Sequence, residues 1–127
     1  MQIPTDLLYT KDHEWVSLDG SVATVGITDF AQGELGDIVY IDIPEGIEEI
    51  KTDDSFGTIE AVKTVSELYS PVSGIIIAIN NELNDNPEVV NNDPYGAGWM
   101  IKIELSDNSE IDNLLDADAY KSLVDGL

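Results

Sequence analysis

The hydrophobic and polar positions of the chain form several short stretches that are typical of β-strands. The clearest stretch, 13–27, is rich in strand-forming residues on both sides of Asp19-Gly20, a dipeptide that favours tight hairpin turns. In 99–105, hydrophobic and polar residues alternate, which is the spacing of a strand that turns one face toward a core. These patterns predict an antiparallel hairpin near the N-terminus and a half-exposed strand near the C-terminus.

Further strand-forming segments are less regular. Residues 37–43 favour one strand, and residues 57–65 and 68–72 favour two more. The run 75–79 is apolar at every position and rich in β-branched residues, so we expect a strand that is buried on both faces. This many short strands is typical of a small sandwich or barrel.

Helix signals occur at three places. Thr28 can cap a short helix over 29–34, and Asp116 can cap another over 117–124. Apolar residues also follow a helical spacing in 109–115. We therefore expect a short helix after the first hairpin and one or two helices at the C-terminus.

The connecting segments 44–54 and 80–93 are acidic or rich in turn-forming residues, and we expect loops there. No stretch has the composition of an interdomain linker. The length of 127 residues is that of one typical domain. The chain is thus predicted to be a single, mostly β domain over 1–127.

Charge narrows the classes of partner. The chain has 26 acidic residues against five lysines and no arginine, which gives a net charge of −21. A surface this negative repels phosphate groups, so the composition argues against nucleic acid and anionic membranes as partners. Because 43% of the residues are hydrophobic, the chain can still build a core and does not resemble an acidic disordered tail.

No targeting or membrane segment is evident. The start of the chain lacks the basic and apolar regions of a secretory signal. The apolar run 75–79 is far shorter than the ~20 residues that a membrane helix needs. Together with the initial Met1, this leads us to expect a soluble cytoplasmic protein.

The chemistry of most enzyme classes finds no support. His13 is the only histidine, and no Gly-x-Ser-x-Gly motif accompanies it. The absence of cysteine argues against thiolate catalysis and zinc binding, and no calcium-loop pattern occurs. No glycine-rich phosphate loop is present. We therefore expect no catalytic residues and no metal site.

Lys63 lies between two strand-forming segments, and the nearest other cation, Lys51, is 12 residues away. A lysine in such a place is commonly an ordinary surface residue, but a turn would also present its amine to a modifying enzyme. Val62-Lys63 contains no glycine, asparagine or proline, so local propensity does not place a turn there.

Several motifs, in order along the chain, resemble those of one family. They cover residues 9–15, 25–31, 35–39, 57–63, 70–74, 90–96 and 98–101. Taken together, they are similar to the H proteins of the glycine cleavage system, over about 8–124. The resemblance implies a lipoyl-domain barrel-sandwich hybrid of two antiparallel sheets.

The resemblance also implies a function. Lys63 would carry lipoate in amide linkage, attached by lipoylating enzymes. The protein would take an aminomethyl group from the pyridoxal-phosphate glycine decarboxylase (P protein) to a tetrahydrofolate-dependent aminomethyltransferase (T protein). Dihydrolipoyl dehydrogenase (L protein) would then reoxidise the arm. Such a protein is a carrier and is not itself an enzyme. We also expect it to be a monomer.

The family pattern carries over to a few other positions. Glu60 matches the acidic position before the modified lysine and would help lipoylating enzymes to recognise it, although an ordinary exposed strand residue would look the same. Glu14 matches a position that would contact the loaded arm, where a carboxylate can hold a cationic amine. For His13 we expect a hydrogen-bonded structural role, and Trp15 and Trp99 are expected to pack.

Alternatives remain. A biotinyl carrier would have methionine on both sides of the lysine, whereas Val62 and Thr64 stand here. A lipoyl domain of a 2-oxoacid dehydrogenase would be shorter and would lack the helical C-terminal segment. An H-like paralogue that relays lipoate between proteins would need the same lysine. An acidic interaction module that keeps only the scaffold is the remaining possibility.

Overall fold

The computed structural model describes residues 2–46 and 48–127. Its strands are β1 (Leu8–Tyr9), β2 (Glu14–Asp19), β3 (Val22–Ile27), β4 (Ile38–Asp42), β5 (Glu49–Ile50), β6 (Ser55–Ala61), β7 (Val65–Tyr69), β8 (Gly74–Ile79) and β9 (Ile101–Leu105). Its helices are α1 (Asp29–Leu35), α2 (Glu82–Asp85), α3 (Val89–Asn92), a 3₁₀ helix (Asn108–Asn113) and α4 (Ala117–Asp125).

Two antiparallel sheets make up the fold. The larger sheet has six strands in the order β1-β2-β3-β9-β8-β5, and the smaller has three in the order β4-β6-β7. The predicted mostly β architecture of two sheets with a helix after the first hairpin and a C-terminal helix is confirmed. Among the residues that are described, no helix is long and apolar enough to cross a bilayer.

The main core lies between the sheets and is built from the inward positions of the alternating strands. Val25 of β3 and Phe56 of β6 are fully buried within it. A second apolar cluster forms where α4 packs on β1, and there the rings of Tyr9 and Tyr120 stack at a centroid distance of 4.7 Å. This second cluster fixes α4 against the N-terminal hairpin.

Local signals in the sequence determine where the two longest α-helices begin. The Thr28 side chain accepts a hydrogen bond from the Ala31 amide at the start of α1. Asp116 accepts one from the Ala119 amide at the start of α4. Both caps, and the helices predicted after them, are confirmed.

The strand prediction for 75–79 is right in type but wrong in burial. Ile75 and Ile77 are 54% and 53% exposed, whereas Ile76 and Ile79 pack against the core. The strand therefore has one solvent-facing side, and the apolar side chains on that side are exposed rather than buried.

Three loop or helix predictions need correction. The segment 80–93 contains α2 and α3, which direct Leu83 and Val90 into the core with no exposed surface. The segment 44–54 contains the short β5, although Ile47 lies outside the described residues. The helical spacing of 109–115 corresponds to a 3₁₀ helix.

The predicted bounds of the strands around Lys63 are also wrong. The strand predicted over 57–65 ends at Ala61, and the next strand begins at Val65 rather than at Leu68. Lys63 consequently lies in the connection between β6 and β7. Trp99 and Met100 precede β9 instead of beginning it.

Candidate functional site

The β6–β7 hairpin presents Lys63 at its tip. Glu60 and Val65 are the last paired residues, and the amide of Ala61 donates to the carbonyl oxygen of Thr64 at 2.8 Å. The amide of Val62 donates to the carbonyl oxygen of Asp37 at 3.1 Å, just before β4. These bonds fix the backbone of the tip, while the side chain of Lys63 is exposed.

Glu60 lies on the outer face of the three-stranded sheet. Its neighbours in sequence, Ile59 and Ala61, are buried, so the alternation of β6 turns Glu60 outward. Tyr40 of β4 and Val65 of β7 are its partners on the two sides. Glu60 is half-buried, and its side chain lies between those of Tyr40 and Val65.

A cleft of about 580 Å³ lies beside β7, on the side of the three-stranded sheet opposite Glu60. It is lined by residues of the segment before β2, of the β2–β3 hairpin, α1, β6, β7 and α4, and of the C-terminus: Asp12, His13, Glu14, Ile27, Phe30, Ala31, Glu34, Leu35, Ile59, Ser66, Glu67, Leu68, Val124 and Leu127. Glu14 and Ile27 are paired at the open end of the β2–β3 hairpin. The cleft thus has apolar walls and several carboxyl groups.

Glu14 is the buried acid of this cleft, with 4% of its surface exposed. The hydroxyl of Thr10 donates to Glu14 Oε1 at 2.9 Å. Burial raises the pKa of Glu14 to about 8; the Thr10 hydrogen bond opposes this rise and the nearby Asp12 adds to it. At neutral pH the carboxyl group is mostly protonated, and a cation bound beside it would favour its ionised form.

His13 lies at the end of a hydrogen-bonded chain. Its Nδ1 is 2.8 Å from the Tyr120 hydroxyl, which is 2.7 Å from Thr28 Oγ1. Thr28 Oγ1 also accepts a hydrogen bond from the Ala31 amide at 3.2 Å. The Tyr120 hydroxyl therefore links His13 to the residue that caps α1.

The expected structural role of His13 agrees with this geometry. Its ring packs against Phe30 at a centroid distance of 4.7 Å, and burial lowers its pKa even though Asp12 and Glu34 act in the opposite direction. Its backbone has φ of +67°, an uncommon conformation for a residue with a side chain. The bond to Tyr120 therefore joins the cleft to α4 through His13.

The two tryptophans pack as expected. Trp15 is 2% exposed, and its Nε1 donates to the carbonyl oxygen of Pro94 at 2.9 Å. Trp99 is half-buried, and Lys102 Nζ lies 5.1 Å from the centroid of its ring.

Comparison with known proteins decides the family. Residues 7–126 match the family model described as glycine cleavage H-protein. Glycine cleavage system H proteins of Staphylococcus haemolyticus and Staphylococcus carnosus are 55% and 53% identical over 124 residues, which is 98% of both chains in each case. The crystal structure of a glycine cleavage system H protein from Mycobacterium marinum matches with a TM-score of 0.87 and 38% identity, over 98% of this chain and all of that one.

This chain belongs to the glycine cleavage H-protein family. Proteins of the family are carriers rather than catalysts, and they hold lipoate covalently on a lysine. Their solved fold is the one described above.

The residues of this chain fit the cofactor of the H-protein family. Amide formation needs a primary amine that a second protein can reach, and Lys63 is an exposed amine on a fixed backbone. The cleft beside the hairpin has apolar walls, including Phe30 and Leu35, that suit a hydrocarbon chain.

Sequence reasoning missed most of the residues that line the cleft of this protein. Phe30, Glu67 and Val124 come from three separate elements and share no motif. Only a long-range signal could have joined them, because the contacts around the cleft connect distant parts of the chain. His13 and Tyr120, for example, are hydrogen-bonded although they are 107 residues apart in sequence.

Proposed function

We propose that Lys63 carries lipoate as an amide and that the chain thereby acts as the lipoyl carrier of a glycine cleavage system. The observation that carries the proposal is the position of Lys63, exposed at a fixed hairpin tip beside the cleft. Its partners are the P, T and L proteins of that system. The bound group supplies a dithiol that carries an aminomethyl unit between enzymes.

The hairpin sets where the arm begins. The Ala61–Thr64 and Val62–Asp37 hydrogen bonds hold the tip to both β7 and the segment before β4. A rigid base limits the volume that an arm explores and keeps the adjacent cleft within it. The tip therefore serves both outward delivery to partners and return to the cleft.

For Glu14 we propose a role in holding the amine of the loaded arm. A cationic amine in the cleft would pair with the Glu14 carboxylate by a charge-assisted hydrogen bond, at the cost of releasing its proton. The apolar walls, among them Ile27 and Phe30, would keep water from the bound group. Glu14→Ala should leave lipoylation intact and shorten the lifetime of the loaded form.

For Glu60 we propose recognition by the lipoylating enzymes. It faces outward on the strand that leads to Lys63, three residues before it, so an enzyme bound at the tip can contact both.

We also propose that 1–127 is one domain that works as a monomer in the cytoplasm. Sedimentation analysis tests the monomeric state, and cell fractionation tests the location.

The attachment site is tested by intact-mass measurement. Lys63→Arg and the control Lys51→Arg are each incubated with a lipoate ligase, lipoate and ATP. Wild type and the control should each gain one lipoyl group, and Lys63→Arg should gain none. A lipoyl adduct on Lys63→Arg would refute the assignment.

The role in glycine cleavage is tested by exchange of bicarbonate with the carboxyl carbon of glycine. Lipoylated protein should support the exchange with purified decarboxylase, and Lys63→Arg should not. A lipoylated protein that is inactive in exchange would instead indicate the relay of lipoate between proteins.

A further inference from the structure

Asn91 of α3 bridges two neighbouring segments of the chain. Its side-chain amide donates to the carbonyl oxygen of Gly36 at 2.9 Å and to Gln32 Oε1 at 3.0 Å, at the end of α1. Its Oδ1 accepts a hydrogen bond from the amide of Ile38 at 2.9 Å, where β4 begins. An asparagine side chain offers one oxygen acceptor and two N–H donors, and all three are used here. Asn91 therefore holds the end of α1 to the start of β4.

The connection between α1 and β4 is short and sharply bent. Gly36 has φ of +78°, so the chain changes direction as the helix ends. Carbonyl groups at the end of a helix have no partner within the helix, and Asn91 supplies a donor to that of Gly36. Only Asp37 separates Gly36 from Ile38. Because Asn91 bonds to the residues on both sides, the backbone of Asp37 is fixed.

Both ends of this connection belong to the candidate site. On one side, α1 contributes a wall of the cleft, which includes Leu35. On the other, the carbonyl oxygen of Asp37 accepts the hydrogen bond from the Val62 amide at 3.1 Å. Val62 directly precedes Lys63 at the hairpin tip. Asn91 thus links the wall of the cleft to the base of the arm.

We propose that Asn91 is a positioning residue, which fixes the hairpin tip with Lys63 relative to the cleft so that the loaded arm can return to it. Asn91 acts through the backbone of 36–38 and not by contact with the arm. A displacement of about 1 Å in a positioned group can change a rate by about 100-fold, so a loosened base is enough to disturb the arm. The inference rests on the proposed function of Lys63.

Hydrolysis is the reaction that exposes a misplaced arm. The carbon–sulfur bond of the aminomethyl group breaks, water adds to the carbon, and the thiol of the arm, formaldehyde and ammonium are formed. A cleft that excludes water slows this reaction. An arm whose base is displaced fits the cleft less well and meets water more often. Loss of Asn91 should therefore shorten the lifetime of the loaded form.

Asn80 provides a matched control. Its side-chain amide donates to the carbonyl oxygens of Ala97 and Trp99 at 2.9 and 2.8 Å, and its Oδ1 accepts from the amide of Glu82 at 3.3 Å. Asn80 uses the same three groups as Asn91, but it ties the start of α2 to the segment before β9. Replacing it by alanine removes equivalent hydrogen bonds at a place that does not hold the hairpin tip.

The first measurement is the hydrogen exchange of the Val62 amide in unmodified protein, followed by nuclear magnetic resonance. Asn91→Ala should raise its rate by about tenfold, the effect of weakening one hydrogen bond, and Asn80→Ala should leave it at the wild-type value. Asn91→Asp keeps the acceptor for Ile38 and loses both donors, so it should raise the rate less; it replaces Asn91→Ala if that variant does not fold. An unchanged rate in the Asn91 variants overturns the proposal.

The second measurement is the lifetime of the loaded form. Each variant is fully lipoylated by long incubation and loaded with glycine and the decarboxylase, and release of formaldehyde is followed well below its unfolding temperature. Asn91→Ala should release formaldehyde about tenfold faster than wild type, and Asn80→Ala at the wild-type rate.

Two outcomes of the lifetime measurement overturn the role of Asn91: release from Asn91→Ala at the wild-type rate, or equal acceleration in Asn91→Ala and Asn80→Ala. The second outcome would mean that any loss of stability shortens the lifetime. If wild-type Lys63 is never lipoylated, the proposed function itself fails. The exchange of the Val62 amide needs no lipoate, so it decides separately whether Asn91 holds the hairpin tip.

Discussion

Two hairpins of the molecule make their turns in different ways. The β2–β3 hairpin turns at Gly20, whose φ of +62° lies in the region that glycine favours. The β6–β7 hairpin turns through Val62 and Lys63 without any residue of that kind. The first turn is encoded by its own residues, and the second is held from outside by the Val62–Asp37 hydrogen bond.

The two hairpins also place function at opposite ends. The first brings Glu14 and Ile27 together at its open end, where they line the cleft. The second presents Lys63 at its closed end and lines the same cleft with Leu68. The first turn carries no functional side chain, so its residues can be those that best stabilise the turn. The turn with Lys63 depends instead on hydrogen bonds to neighbouring segments.

Moving the lysine between hairpins gives the largest expected effect. Ser21→Lys/Lys63→Ala places an exposed amine on the tight first turn and removes it from the second. We expect no lipoyl adduct by intact mass, because recognition needs the surroundings of the second hairpin as well as an amine. An adduct at position 21 would show that any exposed hairpin lysine suffices.

Glu14 tests the open end of the first hairpin through pH. Its pKa is raised to about 8 in the folded protein from 4.5, so the folded state holds its proton more tightly than the unfolded chain. This group therefore costs no stability below about pH 4.5, an increasing amount as pH rises toward 8, and a constant amount above. Glu14→Gln should remove that cost.

The comparison of Glu14→Gln with wild type uses urea unfolding at pH 5 and pH 8.5. The variant should gain up to a few kcal/mol relative to wild type on going to the higher pH. A difference between the two proteins that is independent of pH would show that Glu14 is ionised in the folded protein throughout this range.

Gly20→Val tests how far the first turn depends on its own residues. A Cβ at this position would meet no atom within 4 Å, so the cost comes from the backbone alone. The left-handed conformation should cost about 1–2 kcal/mol of unfolding free energy. Urea unfolding measures it, and a loss well below this range would show that the turn rearranges.

Val62→Gly is the converse change in the second turn and should have the smallest effect. Val62 is 70% exposed, so little packing is lost, and added backbone freedom should cost no more than about 1 kcal/mol. Lipoylation by intact mass should slow only modestly. A larger loss of stability than in Gly20→Val would reverse the comparison of the two turns.

The features that could be predicted are those encoded over a few residues. Thr28 and Asp116 cap helices through bonds to amides three residues away, and Gly20 supplies its own turn. Each of these signals acts over only a few residues, so the local sequence is sufficient to predict the cap or the turn.

The features that were missed depend on contacts distant in sequence. Ile75 and Ile77 are of a residue type that is usually buried, and the neighbouring sequence does not show that one face of β8 is exposed to solvent. Leu83 and Val90 lie in a polar segment, and their burial depends on the sheets beneath. The turn at Lys63 is held by the distant Asp37 carbonyl, so local propensity does not predict it, and the carrier role of this lysine follows from the family resemblance.

The C-terminal end has a practical consequence for anyone who purifies this protein. Val124 and Leu127 contribute to the wall of the cleft. Residues attached directly after Leu127, such as those of an affinity tag, would begin beside this wall, on the same cleft as Glu14. Kinetic work on the loaded form therefore calls for protein from which such a tag has been removed.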